Sequence, residues 1–247
     1  MKIMFNTPHP SVTPPLDRNA SLRFSDLCAG HPGRPVLHQL SGEIAELTMT
    51  ALVGPNGSGK STLLGVLAGV IKPTSGDLLR TGDRPPAFVP QRGAVGDTLP
   101  LTVRQTVEMG RWAERGPWRR LNARDHATVD AALDRLGIGD LASRQLGELS
   151  GGQRQRALIA QGLAQESDLL LLDEPTTGLD AEARDRIRSL LTALVSDGVT
   201  IVQATHDLEV ARAADVCLLL QDGRLAGQGR PNQVLTTSSL TRIWQTI

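Results

Sequence analysis

The sequence predicts an α/β fold in which helices flank a mostly parallel β-sheet, accompanied by a small antiparallel β layer and a helical insertion. Three observations lead to this expectation. An apolar, β-compatible run at residues 49–53 is followed by a glycine-rich loop and then by a helix-compatible run at residues 63–68. Between residues 169 and 220, short apolar runs alternate with helical stretches, which is typical of a parallel sheet covered on both faces. Residues 100–147, between these two regions, are mostly helical in pattern.

The composition fits one large domain, or one domain with a sub-domain. The chain has 247 residues, a formal net charge of +0 and 40% hydrophobic residues. Balanced charge and only 2% aromatic residues are unlike a dedicated nucleic-acid binder, which usually carries a basic surplus and stacking aromatics. No apolar run approaches the roughly 18 residues of a membrane span. We therefore expect a soluble chain whose role at a membrane would depend on a partner.

The order of these sequence patterns predicts an N-terminal extension followed by one domain. Residues 1–20 are rich in proline and are expected to form a flexible extension, and residues 21–247 are expected to form one domain with the helical insertion at about 92–160. The predicted strands are 21–28, 37–49, 49–53, 77–81, 87–89, 169–173, 199–204 and 216–220. The predicted helices include 103–112, 125–136, one starting near Ser150, 181–196 and 208–214. Cys28 and Cys217 lie in apolar runs and are expected to be small buried hydrophobes rather than a disulfide.

The glycine-rich loop has the phosphate-binding pattern G-x-x-x-x-G-K-[ST], the P-loop. Glycines let the backbone turn tightly, and the loop and the helix N-terminus together form a concave anion site. Lys60 is expected to reach the β- and γ-phosphates, and the Ser61 hydroxyl is expected to bind Mg²⁺. The residues expected to bind ATP here are Gly54, Pro55, Asn56, Gly57, Ser58, Gly59, Lys60, Ser61 and Thr62.

A second motif supplies carboxylates. Four leucines at 169–172 are followed by Asp173 and Glu174, so the acids fall at the carboxyl end of a buried strand, where open α/β sheets bind ligands. Asp173 is suited to hold Mg²⁺ opposite Ser61. Glu174 is suited to act as a general base on the attacking water.

A third motif creates a second anion cradle. Residues 149–153 read Leu-Ser-Gly-Gly-Gln and precede an amphipathic helix, with Ser150 as its cap and Gly151 and Gly152 allowing close backbone approach. One ATP needs only one such cradle. The second is expected to complete the site of another copy of the chain.

Leu-Ser-Gly-Gly-Gln resembles the signature motif of the ATP-binding cassette (ABC) ATPases, and further elements are similar in the same order. Gln91 resembles the Q-loop glutamine, residues 177–180 the D-loop, and His206 the switch histidine. The resemblance covers roughly residues 21–230. It implies a P-loop NTPase core and a head-to-tail homodimer with two ATP molecules sandwiched between the copies.

The resemblance also implies roles for single residues. Lys60, Ser61, Gln91 and Asp173 of one copy would meet the phosphates and Mg²⁺, while Ser150, Gly151, Gly152 and Gln153 of the other would close over the γ-phosphate. Glu174, His206 and Gln91 would be catalytic, and Asp180 would act across the dimer. The aromatic residue that usually stacks on adenine near the first strand is missing, and the nearest candidate is His31.

The helical insertion is similar to that of the metal-ion importer branch, in residues 99–103, 109–112 and 116–125. This implies an ATPase on the cytoplasmic face of the cell membrane that powers zinc or manganese import through a separate permease, with an extracytoplasmic solute-binding protein delivering the ion. Haem, siderophore and cobalamin importers are close alternatives, and an exporter remains open. A soluble ABC ATPase acting on DNA or ribosomes is disfavoured by the single cassette and the balanced charge, and no nucleic-acid partner is expected. The insertion is expected to dock the permease through exposed side chains, namely Arg104, Arg111, Arg119, Arg120, Trp112 and Trp118.

Overall fold

The computed structural model describes residues 20–31, 33–91 and 100–244, without the side chains of His31 and Trp244. The extension expected at residues 1–20 lies almost wholly outside these ranges, and so do residues 92–99, where the helical insertion was expected to begin. Within the described ranges, no helix combines the length and the hydropathy needed to cross a bilayer.

The strands of the described ranges belong to two sheets, as the sequence predicts. In chain order they are β1 Ala20–His31, β2 Arg34–Ala45, β3 Met49–Val53, β4 Ser75–Arg80, β5 Ala87–Val89, β6 Leu169–Asp173, β7 Thr200–Thr205, β8 Val216–Gln221 and β9 Arg224–Gly229. The central sheet has the order β5-β6-β7-β3-β8-β9, and the smaller sheet has the order β2-β1-β4. Pairing is parallel from β5 to β8 and antiparallel between β8 and β9, whereas the smaller sheet is antiparallel throughout.

The helices follow the predicted alternation. In chain order they are α1 Lys60–Leu67, α2 Val103–Glu108, α3 Trp112–Arg115, α4 Ala123–Arg135, α5 Gly151–Leu163, α6 Ala181–Ser196, α7 Leu208–Arg212, α8 Pro231–Val234 and α9 Thr237–Trp244. The mixed, mostly parallel sheet, the antiparallel layer and the helices inserted between β5 and β6 confirm the predicted fold class.

Both faces of the central sheet are buried because successive residues of each strand point to opposite sides. In β6, Leu169 and Leu171 pack with α1 and the antiparallel sheet, for instance against Leu63 and Phe24. Leu170 and Leu172 pack with the helical insertion and with α5 and α6 on the other face. An uninterrupted run of leucines is therefore what this position requires.

One predicted strand is too long. The pattern at 37–49 continues into β3, but β2 ends at Ala45 and a turn separates the two strands. Leu47 in that turn has a φ of 56°, a left-handed conformation that is uncommon for a non-glycine residue. The polar–apolar alternation persists across the turn, so periodicity alone does not reveal the break.

Arg111 is not an exposed docking residue, which corrects the expectation. It lies in a 3₁₀ turn between α2 and α3, Met109–Arg111, and its side chain is 1% exposed. Its guanidinium donates to Asp125 Oδ1 at 3.1 Å, Glu166 Oε2 at 2.9 Å and the Ala164 carbonyl oxygen at 2.8 Å, and also pairs with Glu114. The buried charge is thus paired and hydrogen-bonded, as burial requires. The bonds join α4 to the segment that leaves α5.

The cysteines behave differently from each other. Cys217 is buried in β8, and burial raises the pKa of its thiol to about 12, which confirms a small buried hydrophobe. Cys28 is only half-buried, and its Sγ accepts a hydrogen bond from the Gln39 amide at 3.2 Å.

Candidate functional site

The P-loop connects β3 to α1 at the carboxyl edge of the central sheet. Helix α1 begins at Lys60, and Gly59 precedes it in the left-handed conformation at φ 103°, which strongly favours glycine. No side chain in the described part of the chain caps this helix. Its first amides are therefore available to an external anion at the positive end of the helix dipole.

Lys60 is held over the loop that precedes it. Its Nζ donates to the carbonyl oxygens of Gly54 at 2.8 Å and Pro55 at 3.0 Å, and the residue is 6% exposed. Burial lowers the pKa of Lys60, while the negative charges of Glu174 and Asp173 oppose the shift. The ammonium group thus lies between the loop and the acids at the end of β6, where a phosphate chain would meet it.

Asp173 supplies a carboxylate suited to a hard cation. Burial raises its pKa, although a hydrogen bond with Ser61 and the charge of Lys60 act against the shift. A buried carboxylate beside a hydroxyl lacks a full counter-charge, and carboxylate, hydroxyl and amide oxygens are ligands that Mg²⁺ prefers. Gln91 follows β5, whose Val89 pairs with Leu172 of β6, so the backbone brings its amide to the same edge. The donor set fits Mg²⁺.

Glu174 is held by two neighbours. Its Oε2 accepts a hydrogen bond from Thr177 Oγ1 at 2.8 Å, and its Oε1 lies 3.3 Å from His206 Nδ1. The Glu174 backbone has a φ of 49°, a sparsely populated conformation typical of functional sites. The structure therefore joins Glu174 and His206, and adds Thr177, which the sequence analysis placed in the D-loop without a role beside Glu174. A hydroxyl three residues after the acid, in the turn before α6, was the available signal.

The second predicted cradle lies at the start of α5. Ser150 is exposed, and its Oγ accepts a hydrogen bond from the Gln153 amide at 3.3 Å. In return, Gln153 Oε1 accepts one from the Ser150 amide at 3.0 Å, which completes a capping box. Ser150 and Gln153 thus bond to each other in this chain, and Gly151 and Gly152 lie between them.

Asp180 caps α6. The Asp180 side chain accepts a hydrogen bond from the Ala183 amide at 2.8 Å, and Asp180 is exposed. This bond fixes the start of α6. The short segment from Glu174 to α6 thus contains Thr177 near its beginning and Asp180 at its end. The side chain of His31, the candidate for stacking on adenine, lies outside the described part of the structure.

A hairpin turn that the sequence analysis did not use supports the P-loop. The Gly223 amide donates to the Ser58 carbonyl oxygen at 3.1 Å, and the Gly223 carbonyl oxygen accepts from the His38 amide at 2.8 Å. A Cβ on Gly223 would lie 1.8 Å from the Val36 carbonyl oxygen, so the close approach requires glycine. The Asp222-Gly223 pair between alternating residues is a strong hairpin signal that could have revealed the turn into β9.

A cavity of about 200 Å³ lies away from the P-loop, between α6 and α7, and its lining includes Arg184, Asp207 and the buried Gln203.

Comparisons with known proteins agree with this geometry. The family model described as ABC transporter matches residues 37–177. The hemin import ATP-binding protein HmuV of Nocardia farcinica is 38% identical, over 98% of this chain and 88% of that protein. The zinc transport system ATP-binding protein TroB of Treponema pallidum is 36% identical, over 91% of this chain and 86% of that protein.

Other relatives at 34% and 35% identity are named as ATP-binding proteins of metal or manganese transport systems. A solved structure of a metal-chelate type ABC transporter in an inward-facing conformation superposes with a TM-score of 0.84 at 33% identity. That match covers 92% of this chain and 90% of the solved chain.

Proposed function

Because this chain belongs to the ABC transporter family and is the ATP-hydrolysing subunit of a transporter, we propose that it powers import of a metal ion, zinc or manganese, through a separate membrane permease. The relatives named for zinc, manganese and metal transport support the cargo. The likeness to a metal-chelate type transporter supports a metal-containing cargo, either free or chelated.

The observation that carries hydrolysis is the position of Glu174 beside the P-loop cradle. Lys60 interacts electrostatically with Glu174 and Asp173. Its ammonium group binds the β- and γ-phosphates as a point charge. Ser61, Asp173 and Gln91 would hold Mg²⁺, which would neutralise charge that develops on the transferred phosphoryl group. Glu174 accepts a proton from the attacking water, and His206, 3.3 Å from its Oε1, orients the carboxylate and senses the γ-phosphate.

The working form is a homodimer with two composite sites. The exposed capping box at Ser150–Gln153 closes over the γ-phosphate bound to the P-loop of the other copy, and Asp180 makes contact across the dimer. Two copies arranged head to tail about a two-fold axis make two such sites. ATP binding closes the dimer and hydrolysis reopens it.

The membrane partner docks on the helical insertion. With Arg111 buried, the surface of α2 and α3 offers Trp112, which is 41% exposed, and Arg104, which pairs with Asp130 at 2.6 Å. Tryptophan and arginine are typical anchors of protein interfaces. We place the chain on the cytoplasmic face of the membrane through this contact, with the solute-binding protein acting on the permease from the other side.

The alternative cargo is haem or a related chelate, which the 38% identity to HmuV favours. Substrate choice rests with the permease and the solute-binding protein. Reconstituting all three components and asking which cargo, zinc, manganese or haem, stimulates ATP hydrolysis separates the two candidates.

Hydrolysis is tested with Glu174→Gln. We expect turnover to fall below detection, because an amide does not accept the proton of the water, while ATP-bound dimers accumulate in gel filtration. Asp77→Asn, the same acid-to-amide change on the exposed face of β4, is the matched control and should retain activity. Wild-type turnover by Glu174→Gln would overturn the assignment of the base.

A further inference from the structure

The loop between α3 and α4 presents a fully exposed tryptophan. Trp118 is 95% exposed, well above the next most exposed large apolar side chain in the described ranges, Val70 at 70%. Its neighbours Pro117, Arg119 and Arg120 are exposed as well. We call residues 115–124, which include the last residue of α3 and the first two residues of α4, the arginine–tryptophan loop.

This loop is strongly basic in a chain that is neutral overall. Residues 115–124 contain Arg115, Arg119, Arg120 and Arg124 and no aspartate or glutamate, while the whole chain has 26 basic and 26 acidic residues. Arg115 pairs inward with Asp125 at 2.9 Å. The exposed residues Arg119, Arg120 and Arg124 leave a positive surface around the indole.

Both ends of the loop are fixed. The Gly116 amide donates to the Trp112 carbonyl oxygen at 2.8 Å at the end of α3. At the other end, Asn122 and Asp125 exchange two hydrogen bonds of 3.0 Å that cap α4. The buried Arg111 bonds to the same Asp125. The short segment that carries Trp118 is thus presented from a rigid base, which lowers the entropy cost of binding.

We propose that the arginine–tryptophan loop binds the anionic headgroup surface of a lipid bilayer. The indole of Trp118 inserts at the boundary between headgroups and acyl chains, where tryptophan is favoured because one end of the ring is apolar and the other polar. Arg119, Arg120 and Arg124 attract the anionic lipids. The proposal deepens the proposed function, since it rests on the chain working at a membrane.

The surroundings of Trp118 favour lipid over protein. Tryptophan and arginine are enriched at protein interfaces too, but there several apolar side chains join in a core from which most charges are excluded. Within residues 115–124, the one exposed aromatic ring, Trp118, lies between Pro117 and two exposed arginines. A single amphipathic ring beside cations matches the polarity of a headgroup layer, so we assign Trp118, Arg119 and Arg120 to lipid, in place of the expected contact with the permease.

The test uses Trp118 as its own reporter. The chain has three tryptophans, at positions 112, 118 and 244, so the full-length variant Trp112→Phe/Trp244→Phe carries only the loop indole. It is mixed at low salt with vesicles of phosphatidylglycerol and phosphatidylcholine in equal parts, with brominated acyl chains. We expect a blue-shifted emission and quenching by the bromines, both reversed by added salt, and neither with phosphatidylcholine alone.

Charge variants in the same background complete the test. Arg119→Gln/Arg120→Gln should lower the vesicle partition coefficient by about 30-fold, from about fivefold per arginine at an anionic surface. The matched control is Arg212→Gln/Arg230→Gln, two exposed arginines elsewhere, which should leave the coefficient unchanged. Equal thermal melting of the variants shows that folding is intact.

Three results would overturn the proposal: no quenching with anionic vesicles, equal quenching with neutral ones, or equal losses in both arginine pairs. Cross-linking from position 118 to the permease in detergent, together with absent vesicle binding, would assign the loop to a protein partner. ATP hydrolysis and co-purification with the permease are measured on the wild-type chain and on Arg119→Gln/Arg120→Gln with Trp112 and Trp244 retained. If those fail in the wild type, the proposed function fails, whatever the vesicles show.

Discussion

The chain has two helix N-termini that are suited to anions, and they are prepared differently. At α1, glycine occupies the cap position without a side-chain bond, and the following Lys60 is buried against its own loop. At α5, Ser150 and Gln153 cap the helix reciprocally and the cap residue is exposed. The first terminus leaves its amides to a ligand, and the second satisfies the amides of Ser150 and Gln153 within the chain.

The difference indicates an order of events. A terminus without a cap, beside a buried lysine and a buried carboxylate, gains most from binding phosphate, so a single chain can bind nucleotide first. A terminus with two of its amides already bonded gains less, and in the proposed dimer it contributes only when a second chain brings it to the γ-phosphate. Under this proposal the two cradles act at different steps, nucleotide binding and dimer closure.

The largest effect is expected from Lys60→Ala, which removes the cation from the first cradle. Nucleotide affinity of the isolated chain should fall by about 150-fold, because a hydrogen bond to a charged group contributes up to about 3 kcal/mol. Titration with a fluorescent ATP analogue measures it. Lys72→Ala, at an exposed lysine just after α1, serves as the control. Equal binding by both variants would contradict the role of the first cradle.

Arg111→Met tests how firmly the insertion is attached to the sheet. The change removes the cation from a buried, multiply bonded position, which should lower the free energy of unfolding by about 3 kcal/mol. Urea denaturation measures the loss. Arg188→Met breaks an exposed pair with Asp185 on α6 and should cost less than about 1 kcal/mol. Equal stability of the two variants would show that Arg111 does not attach the helical insertion to the rest of the domain.

Ser150→Asp should separate the two cradles. Aspartate caps helices as well as serine does, so thermal stability and nucleotide binding by the single chain should persist. Its charge would face the γ-phosphate of the other copy, and ATP-driven dimerisation in the Glu174→Gln background should weaken by about 100-fold. Light scattering with ATP reports the dimer. Undiminished dimerisation would show that the second cradle does not approach the phosphate.

The smallest effect is expected from Thr177→Val. The variant loses the 2.8 Å hydrogen bond to Glu174 while keeping the shape of the side chain. We expect kcat to fall about tenfold with KM unchanged, because a hydrogen bond to a charged group contributes about 1.5 kcal/mol. Thr177→Ser, which keeps the hydroxyl, should restore most of the rate. Equal rates for Val and Ser would assign Thr177 a packing role alone.

Local patterns predicted much of the fold. The bounds predicted for β6 and α6 match those observed, because a leucine run before an acid and an amphipathic run after a capping Asp180 leave little freedom. Helix α2 was predicted to extend to Trp112 but ends at Glu108. The helical backbone tightens there into the 3₁₀ turn Met109–Arg111, in which Arg111 bonds to partners 14 and 55 residues away, and no local pattern contains such contacts.

The candidate site was predictable as a set of residues but not as a set of contacts. Glu174 and His206 were expected to serve the same reaction, yet their 3.3 Å contact depends on β6 and β7 pairing in register. Gly223 was missed because its role is set by a close approach to Ser58 and Val36, more than 150 residues earlier in the chain. Sequence motifs specify chemistry, while such supporting contacts arise only from tertiary packing.

The bond from Gly223 to Ser58 also bears on when the protein becomes functional during its synthesis. Strand β3, which leads into the P-loop, pairs with β7 and β8, and the loop itself is held by Gly223. All of these partners are translated long after the P-loop has left the ribosome, and contacts of such long range form late. A nascent chain that ends before residue 223 should therefore carry the complete P-loop sequence without yet holding ATP.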